Sequence, residues 1–153
     1  MAEFVTKVRV NKPVGHTFRV FLDEGTMAKW VSGFKGIEIV SGKPRKVDSL
    51  YRMMINFDGE VLQTYQKLLE VKEDERLLVQ MEHPEFITYS EILFSKAGAA
   101  TEMLCKVKIE GKTVKMKFAI RTDVAHVLPL SSSHSRGKNA RSFVYFLMSC
   151  GST

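Results

Sequence analysis

Apolar and polar residues alternate along most of the chain, which is the pattern of β-strands that bury one face. The clearest case is the segment 101–110, in which every second residue is apolar and most of the others are charged. Short turns separate the last six of the predicted strands, so these six must pair as an antiparallel meander. The predicted strands span residues 4–10, 37–40, 50–57, 61–71, 76–82, 87–95 and 101–110.

Two short helices are predicted between the first and the second strand. Apolar residues recur at helical spacing over 14–22, and Pro13 suits the position before a first helical turn because it needs no hydrogen-bond acceptor. A second short helix contains Met27 and Trp30, and Gly33 follows it as a helix-ending residue. A strand, two helices and six further strands make an α+β fold.

The apolar face of such a sheet needs a covering element. The C-terminal segment offers one, because apolar residues recur at i, i+3, i+4 and i+7 over 140–150. Pro129 and the serine-rich stretch 131–135 interrupt this pattern, so we expect a C-terminal helix broken near Pro129. A bent seven-stranded antiparallel sheet and one helix leave unfilled volume between them, and a binding cavity is expected there.

Length and charge favour a single domain over 1–153 without a nucleic-acid surface. Residues 1–110 hold 16 basic and 16 acidic residues, whereas 111–153 hold seven basic residues and one acid. The net charge of +6 therefore belongs to the end of the chain, and the body lacks the basic stripe of a nucleic-acid binder. The absence of a signal peptide and of an apolar run near 20 residues predicts a cytoplasmic protein without stable membrane insertion. The sequence does not fix the oligomeric state.

The sequence contains no motif for a metal or a cofactor. The four histidines lack the spacing of metal ligands and are interpreted as surface residues. No phosphate-binding or dinucleotide loop occurs, and the two cysteines are interpreted as thiols, not as a disulfide framework. Asp58 and Glu60 flank Gly59 in a hairpin turn, so turn formation explains them better than acid–base catalysis does. We expect neither a metal site nor a cofactor.

Three polar residues interrupt largely apolar strands and are candidates to point inward: Gln63, Tyr65 and Glu91. A buried Glu91 would need a partner, and Arg52 is one candidate. Because a buried ion pair costs desolvation energy, a Glu91 that faces solvent is the preferred interpretation.

Six stretches of the chain carry a resemblance through their order and spacing: residues 10–14, 27–31, 37–42, 57–60, 74–77 and 101–104. In these stretches the chain resembles the START/Bet v 1-like superfamily, also called SRPBCC or polyketide cyclase/dehydrase-like proteins. The resemblance implies a helix-grip fold, in which a bent sheet and a C-terminal helix enclose a cavity for lipids, polyketides or other apolar molecules. Members of this superfamily share no catalytic residue, so the resemblance implies no particular activity.

The sequence leaves three functions open. The preferred one is non-enzymatic binding or carriage of a hydrophobic small molecule. The others are a cyclase or dehydratase acting in the same cavity, and a protein-interaction module of the Hsp90-activator kind. For Trp30, a wall against the ligand and a core anchor are equally good interpretations. The expected ligand-binding residues are Trp30, Phe34, Tyr51, Met53, Ile55, Tyr65, Val79, Met81, Phe143 and Leu147.

Overall fold

The computed structural model describes residues 2–30, 33–57 and 59–117. The predicted order of elements is confirmed, with a short 3₁₀ turn at Glu24–Thr26 between the two helices. The helices are α1 (Val14–Leu22) and α2 (Met27–Trp30), and the strands are β1 (Ala2–Val10), β2 (Phe34–Ser41), β3 (Leu50–Phe57), β4 (Glu60–Lys72), β5 (Arg76–Glu82), β6 (Phe86–Ala97) and β7 (Ala100–Gly111).

The seven strands form one antiparallel sheet in the order β1-β7-β6-β5-β4-β3-β2. The meander runs from β2 to β7, and β1 then pairs with β7, so the first and last of the described strands are neighbours. Register shifts interrupt the β2–β3 pairing and the β4–β5 pairing, the latter between Leu68 and Glu70. Such bulges add a residue on one strand and bend it.

Strand pairing assigns the side chains to two faces of the sheet. Phe94 pairs with Met103, which pairs with Val8 on its other side, so these three share the inner face, which carries the buried core. Glu91 pairs with Leu78 and Lys106, and these three share the outer face. The alternation follows from the two-residue period of a β-strand.

Two buried clusters occupy opposite ends of the inner face. The first cluster includes Phe86, the first residue of β6, and the second includes residues of α1. The rings of Phe18 and Phe94 hold α1 on the sheet in an edge-to-face contact with centroids 5.2 Å apart. The first cluster is Met53, Ile55, Met81, Phe86 and Ile109; the second is Val14, Phe18, Leu77, Ile92, Phe94 and Met103.

A further helical segment begins directly after β7 and covers residues 114–117. Thr113 caps it, because its hydroxyl accepts a hydrogen bond from the Met116 N–H at 3.1 Å. Gly111 is needed for this turn, since a Cβ at that position would lie 2.6 Å from the Lys117 backbone nitrogen. Met116 packs against the first cluster, so this segment starts to cover the inner face. The expected C-terminal helix beyond it, with the break near Pro129, lies outside the described residues.

Candidate functional site

The candidate site is the middle of the inner face, between the two buried clusters. Three rows of paired residues cross the sheet there, and no Asp, Glu, Lys, Arg or His lies in them within the described ranges. An uncharged surface of this kind suits an apolar molecule, because burying an unpaired charge costs several kcal/mol or more. The rows are Gln66–Met81–Thr88–Ile109, Leu68–Val79–Ser90–Val107–Phe4 and Val71–Leu77–Ile92–Cys105–Thr6.

Seven residues of these rows are only partly buried, and we call four of them the central patch: Gln66, Val79, Ser90 and Cys105. Val79 and Ser90 are directly paired across β5 and β6. Gln66 and Cys105 are diagonal neighbours of this pair on the same face. The patch combines the amide of Gln66, the hydroxyl of Ser90 and the thiol of Cys105 with the aliphatic side chain of Val79. It therefore offers weak polar contacts within a mainly apolar surface.

Two threonines at the edge of the patch differ in their hydrogen bonding. Thr64 is fully buried, and its hydroxyl donates to the backbone carbonyl of Met53 at 3.3 Å. Thr88 is also fully buried, but its hydroxyl has no hydrogen-bond partner among the described residues. A buried hydroxyl without a partner costs about 1–3 kcal/mol. Thr88 is therefore the group on this face with the most to gain from a polar atom of a ligand.

Methionine sulfurs are the partners of the Gln66 amide. Its Nε2 donates to Met53 Sδ at 3.6 Å and to Met81 Sδ at 3.8 Å. Thioether sulfur is a weak acceptor, and methionine side chains adapt their shape readily. The amide is thus held loosely and is available to a better acceptor.

Cys105 is the titratable group of the central patch, and desolvation by burial raises its pKa to about 11. Its thiol therefore stays protonated near neutral pH and is a poor nucleophile. No cluster of three or more potential metal ligands occurs within the described ranges.

His83 departs from the predicted surface position. Its ring stacks on Phe86 of the first cluster with centroids 4.7 Å apart, and it is partly buried. Desolvation lowers its pKa, so the ring is neutral at physiological pH.

The structure brings together five of the residues expected to bind a ligand. Tyr51, Met53, Ile55 and Met81 are buried on the inner face, and Val79 is partly exposed in the central patch. Phe34 at the start of β2 is half-buried and packs against the first cluster. Their contact with a ligand remains a prediction, but their common face follows from the strand register.

The prediction that Tyr65 lines the cavity is wrong. Its neighbours in the strand, Thr64 and Gln66, occupy the inner face, so Tyr65 projects from the outer face with 39% of its surface exposed. Gln63 lies beside it on that face and donates from Nε2 to the Tyr65 hydroxyl at 3.0 Å. Polar side chains of β4 thus have hydrogen-bond partners on both faces of the sheet, and Tyr65 is the aromatic side chain that is exposed to solvent.

Glu91 faces the outer side, as preferred, and its partners there are Arg76 and Lys106 rather than Arg52, the candidate for a buried Glu91. Its carboxylate accepts from Arg76 Nε at 3.0 Å, and Lys106 Nζ lies 3.7 Å from it. Arg52 instead pairs with Glu38, its direct neighbour across β2 and β3. Cross-strand neighbours on one face explain both pairs.

Three expected residues fall outside what the structure describes. These are Phe143 and Leu147, together with the side chain of Trp30, whose backbone belongs to α2. The sequence interpretation in turn missed Thr88, Ser90 and Gln66. Thr88 and Ser90 lie two and four residues after Phe86, and Gln66 directly follows Tyr65. These positions show which face each side chain occupies only when the register of β4 and β6 is known.

No protein-family model matches the chain, and no curated protein matches it in sequence. Solved structures do match in fold. The Panax ginseng major latex-like protein 151 superposes with a TM-score of 0.69 at 11% identity, covering 97% of this chain and 91% of its own. Ara h 8.0201 gives a TM-score of 0.64 at 13% identity, covering 98% of this chain and 95% of its own.

A third match is the di-domain ARO/CYC BexL from the BE-7585A biosynthetic pathway. Its TM-score is 0.69 at 11% identity, and the match covers 99% of this chain but 45% of BexL. None of the helices in the described ranges is long and apolar enough to cross a membrane. The sheet order, the two helices after β1 and these superpositions together show that the chain shares the α+β helix-grip fold of these three proteins.

Proposed function

We propose that the chain binds or carries an uncharged hydrophobic small molecule against the middle of its inner face. The observation that carries this proposal is the absence of charge from the three rows that cross this face within the described ranges. A ligand that covers Val79 and its apolar neighbours would gain roughly 25 cal/mol per Å² of apolar surface removed from water. Methionines at the border, such as Met53 and Met81, would adapt to its shape.

A few polar groups would orient such a ligand. The Thr88 hydroxyl lacks a partner within the described residues, and the Gln66 amide has only sulfur acceptors. A ligand with one carbonyl or hydroxyl group would give the Thr88 hydroxyl a hydrogen-bond partner and would offer the Gln66 amide a stronger acceptor than sulfur. Binding sites for small molecules commonly combine apolar walls with a few polar groups of this kind.

A cyclase-type enzyme is the second candidate, and the fold match with the ARO/CYC BexL favours it. Such chemistry requires a group that moves a proton near neutral pH. In the described rows the titratable side chain is Cys105, and burial raises its pKa to about 11, outside that range. Tyr51, which pairs with Gln66 at the end of the first row, also has a raised pKa, mainly because of desolvation. This observation supports carriage over catalysis.

A protein-interaction module would need an exposed apolar or strongly charged patch on the outer face. The exposed apolar residues of the described outer face, such as Val5 and Tyr89, lie among pairs of opposite charge, such as Lys7 with Glu102 and Lys108 with Glu3. A surface of mixed ion pairs is typical of contact with solvent.

Native mass spectrometry of the purified protein tests the proposal, together with titration of the neutral fluorophore N-phenyl-1-naphthylamine. We expect a co-purified apolar molecule, or saturable binding of the fluorophore that the co-purified molecule displaces. Val79→Phe fills the central patch and should reduce the bound fraction about tenfold, since overpacking of this kind costs 1–3 kcal/mol.

Leu78→Phe is the matched control, because Leu78 is the preceding residue of β5 and lies on the outer face. It should leave binding unchanged. A wild-type protein that carries no ligand and does not bind the fluorophore would refute the proposal. Equal loss of binding in both variants, with both folded by circular dichroism, would place the site elsewhere.

A further inference from the structure

A pocket lies at the end of the sheet that carries α1, and it borders the inner face at Val71. It is open to solvent, has a volume of about 620 Å³, and is bounded by α1, the β2–β3 loop and the β4–β5 turn. This volume falls in the range of small-molecule sites. Its lining residues are His16, Phe18, Arg19, Val20, Leu22, Asp23, Pro44, Arg45, Lys46, Val71 and Glu73.

Three basic residues line this pocket, against two acidic ones. Arg19 comes from α1, and Arg45 and Lys46 come from the loop; none of them forms an ion pair within the described residues. The acidic residues of the lining are Asp23, whose carboxylate accepts the Gly25 N–H at 2.9 Å, and Glu73. The lining therefore carries an excess of positive charge, which attracts an anion.

The loop that supplies two of the cations is held in a fixed conformation. Arg45 has a left-handed backbone with φ of 62°, which costs about 1 kcal/mol or more for a residue other than glycine. Its N–H donates to the Tyr51 hydroxyl at 2.7 Å, and the Ser49 hydroxyl donates to the Lys46 carbonyl at 2.6 Å. Asp48, also left-handed, donates from its N–H to the Leu68 carbonyl at 2.8 Å. The cations are therefore presented by a preorganised backbone, which reduces the entropy lost on binding.

The remaining walls of the pocket are apolar and suit an organic body rather than a bare ion. Val20 and Leu22 of α1, Pro44 of the loop and Val71 of β4 belong to the lining. An inorganic anion would leave these side chains without a contact, whereas an aromatic or short aliphatic group would cover them. Apolar walls with converging cations are the complement of an amphiphilic anion.

We propose that this pocket binds a small organic anion, whose carboxylate, sulfonate or phosphate group is held by Arg19, Arg45 and Lys46 and whose apolar body contacts the α1 wall. This site borders the inner face at Val71, but its preference for an anion is tested separately from ligand binding at the central patch.

Isothermal titration calorimetry with two matched probes tests this assignment: naphthalene-2-sulfonate, which is an anion, and naphthalene-2-sulfonamide, which is neutral. The sulfonate should bind at least about fivefold more tightly than the sulfonamide. The double variant Arg45→Gln/Lys46→Gln should remove that preference and leave sulfonamide binding unchanged. Salt near 0.5 M should weaken sulfonate binding, because the cations are exposed.

Lys43→Gln is the matched control, because Lys43 belongs to the same loop but does not line the pocket. It should leave sulfonate affinity within about twofold of wild type. Equal weakening by Lys43→Gln would attribute the effect to general surface charge and overturn the proposal. Inorganic sulfate that binds as tightly as the sulfonate would overturn the role of the apolar walls. Equal affinity for the two naphthalene probes would overturn the role of the cations.

Discussion

The Tyr51 hydroxyl donates a hydrogen bond to Glu24 Oε1 at 2.9 Å, across 27 residues of sequence. The same oxygen accepts the Arg45 N–H at 2.7 Å. One buried phenol therefore connects β3 with the 3₁₀ turn before α2 and with the β2–β3 loop. Desolvation is the main cause that raises the pKa of Tyr51, so the phenol is neutral at physiological pH and able to donate.

Tyr51→Phe should lower the free energy of unfolding by about 1–2 kcal/mol, because it leaves the Glu24 carboxylate and the Arg45 N–H without this partner. Urea denaturation followed by circular dichroism measures the change. Tyr89→Phe is the control, since Tyr89 is exposed on the outer face and no hydrogen bond of its hydroxyl occurs within the described residues. Equal effects of the two substitutions would contradict the bracing role of Tyr51.

Thr88→Val should raise the free energy of unfolding of the ligand-free protein by about 1 kcal/mol. The substitution removes a buried hydroxyl without a partner and keeps the shape of the side chain. Thr64→Val is the opposite case, because its hydroxyl donates to the Met53 carbonyl, and it should be destabilising. Urea midpoints of the two variants distinguish the cases. A destabilised Thr88→Val protein would mean that the hydroxyl already has a partner in solution.

Cys105 should react slowly with iodoacetamide at pH 8 in a Cys150→Ser background. With a pKa near 11 in place of 9.0, its thiolate fraction there is about a hundredfold lower than that of an ordinary thiol. A bound ligand on the inner face should slow the reaction further. Rapid labelling of the folded protein, at the rate seen in denaturant, would show that the thiol is not desolvated.

The same thiol gives a stability profile at alkaline pH. Its pKa is raised in the folded state, so the proton is held more tightly there than in the unfolded chain. The stabilisation is complete below pH 9 and is lost as the pH rises towards 11; the loss is about 2–3 kcal/mol. Unfolding of Cys105→Ala followed over this pH range should lack that part of the decline. Parallel curves for both proteins would refute the assignment.

The sequence correctly predicted the buried face of those strands in which only one set of alternate positions is apolar. In β7 the apolar residues occupy one set of alternate positions and the charged residues the other, and the observed face agrees. In β6 both alternate sets contain large apolar residues, such as Phe86 and Ile92 on one face and Ile87 and Leu93 on the other. The two-residue period of the strand therefore could not show which face of β6 is buried. For this reason Thr88, which lies on the face of Phe86 and Ile92, was not recognised as an inward residue.

The error at Tyr65 has a structural cause. A residue that interrupts an apolar strand was interpreted as an inward polar group, but the inner face of β4 already holds Thr64 and Gln66. The buried Thr64 hydroxyl is satisfied by a backbone carbonyl of β3. Cross-strand contacts of this kind require knowledge of the partner strand, which local sequence does not contain.

The conformation of the β2–β3 loop at the pocket beside α1 could not be predicted from the sequence either. The β2–β3 loop contains Gly42, which has the left-handed φ of 81° that a turn signal suggests. Arg45 and Asp48 adopt the same region without any such signal. Their conformations depend on hydrogen bonds to Tyr51 and Leu68, which are supplied by the folded sheet.

Glu91→Gln should destabilise the protein near neutral pH and have no effect at strongly acid pH. The hydrogen bond from Arg76 is the main cause that lowers the Glu91 pKa below its ordinary 4.5. A lowered folded pKa gives stabilisation that is present above pH 4.5 and disappears as the pH falls through the folded pKa. For a partly exposed pair we expect the free energy of unfolding to fall by at most about 1 kcal/mol at pH 7.

Glu110→Gln is the control, because Glu110 is exposed on β7 and forms no ion pair within the described residues. Urea midpoints measured from pH 2 to pH 7 should therefore diverge from wild type for Glu91→Gln alone, and a pH-independent difference would show that the Arg76 contact does not stabilise the folded state.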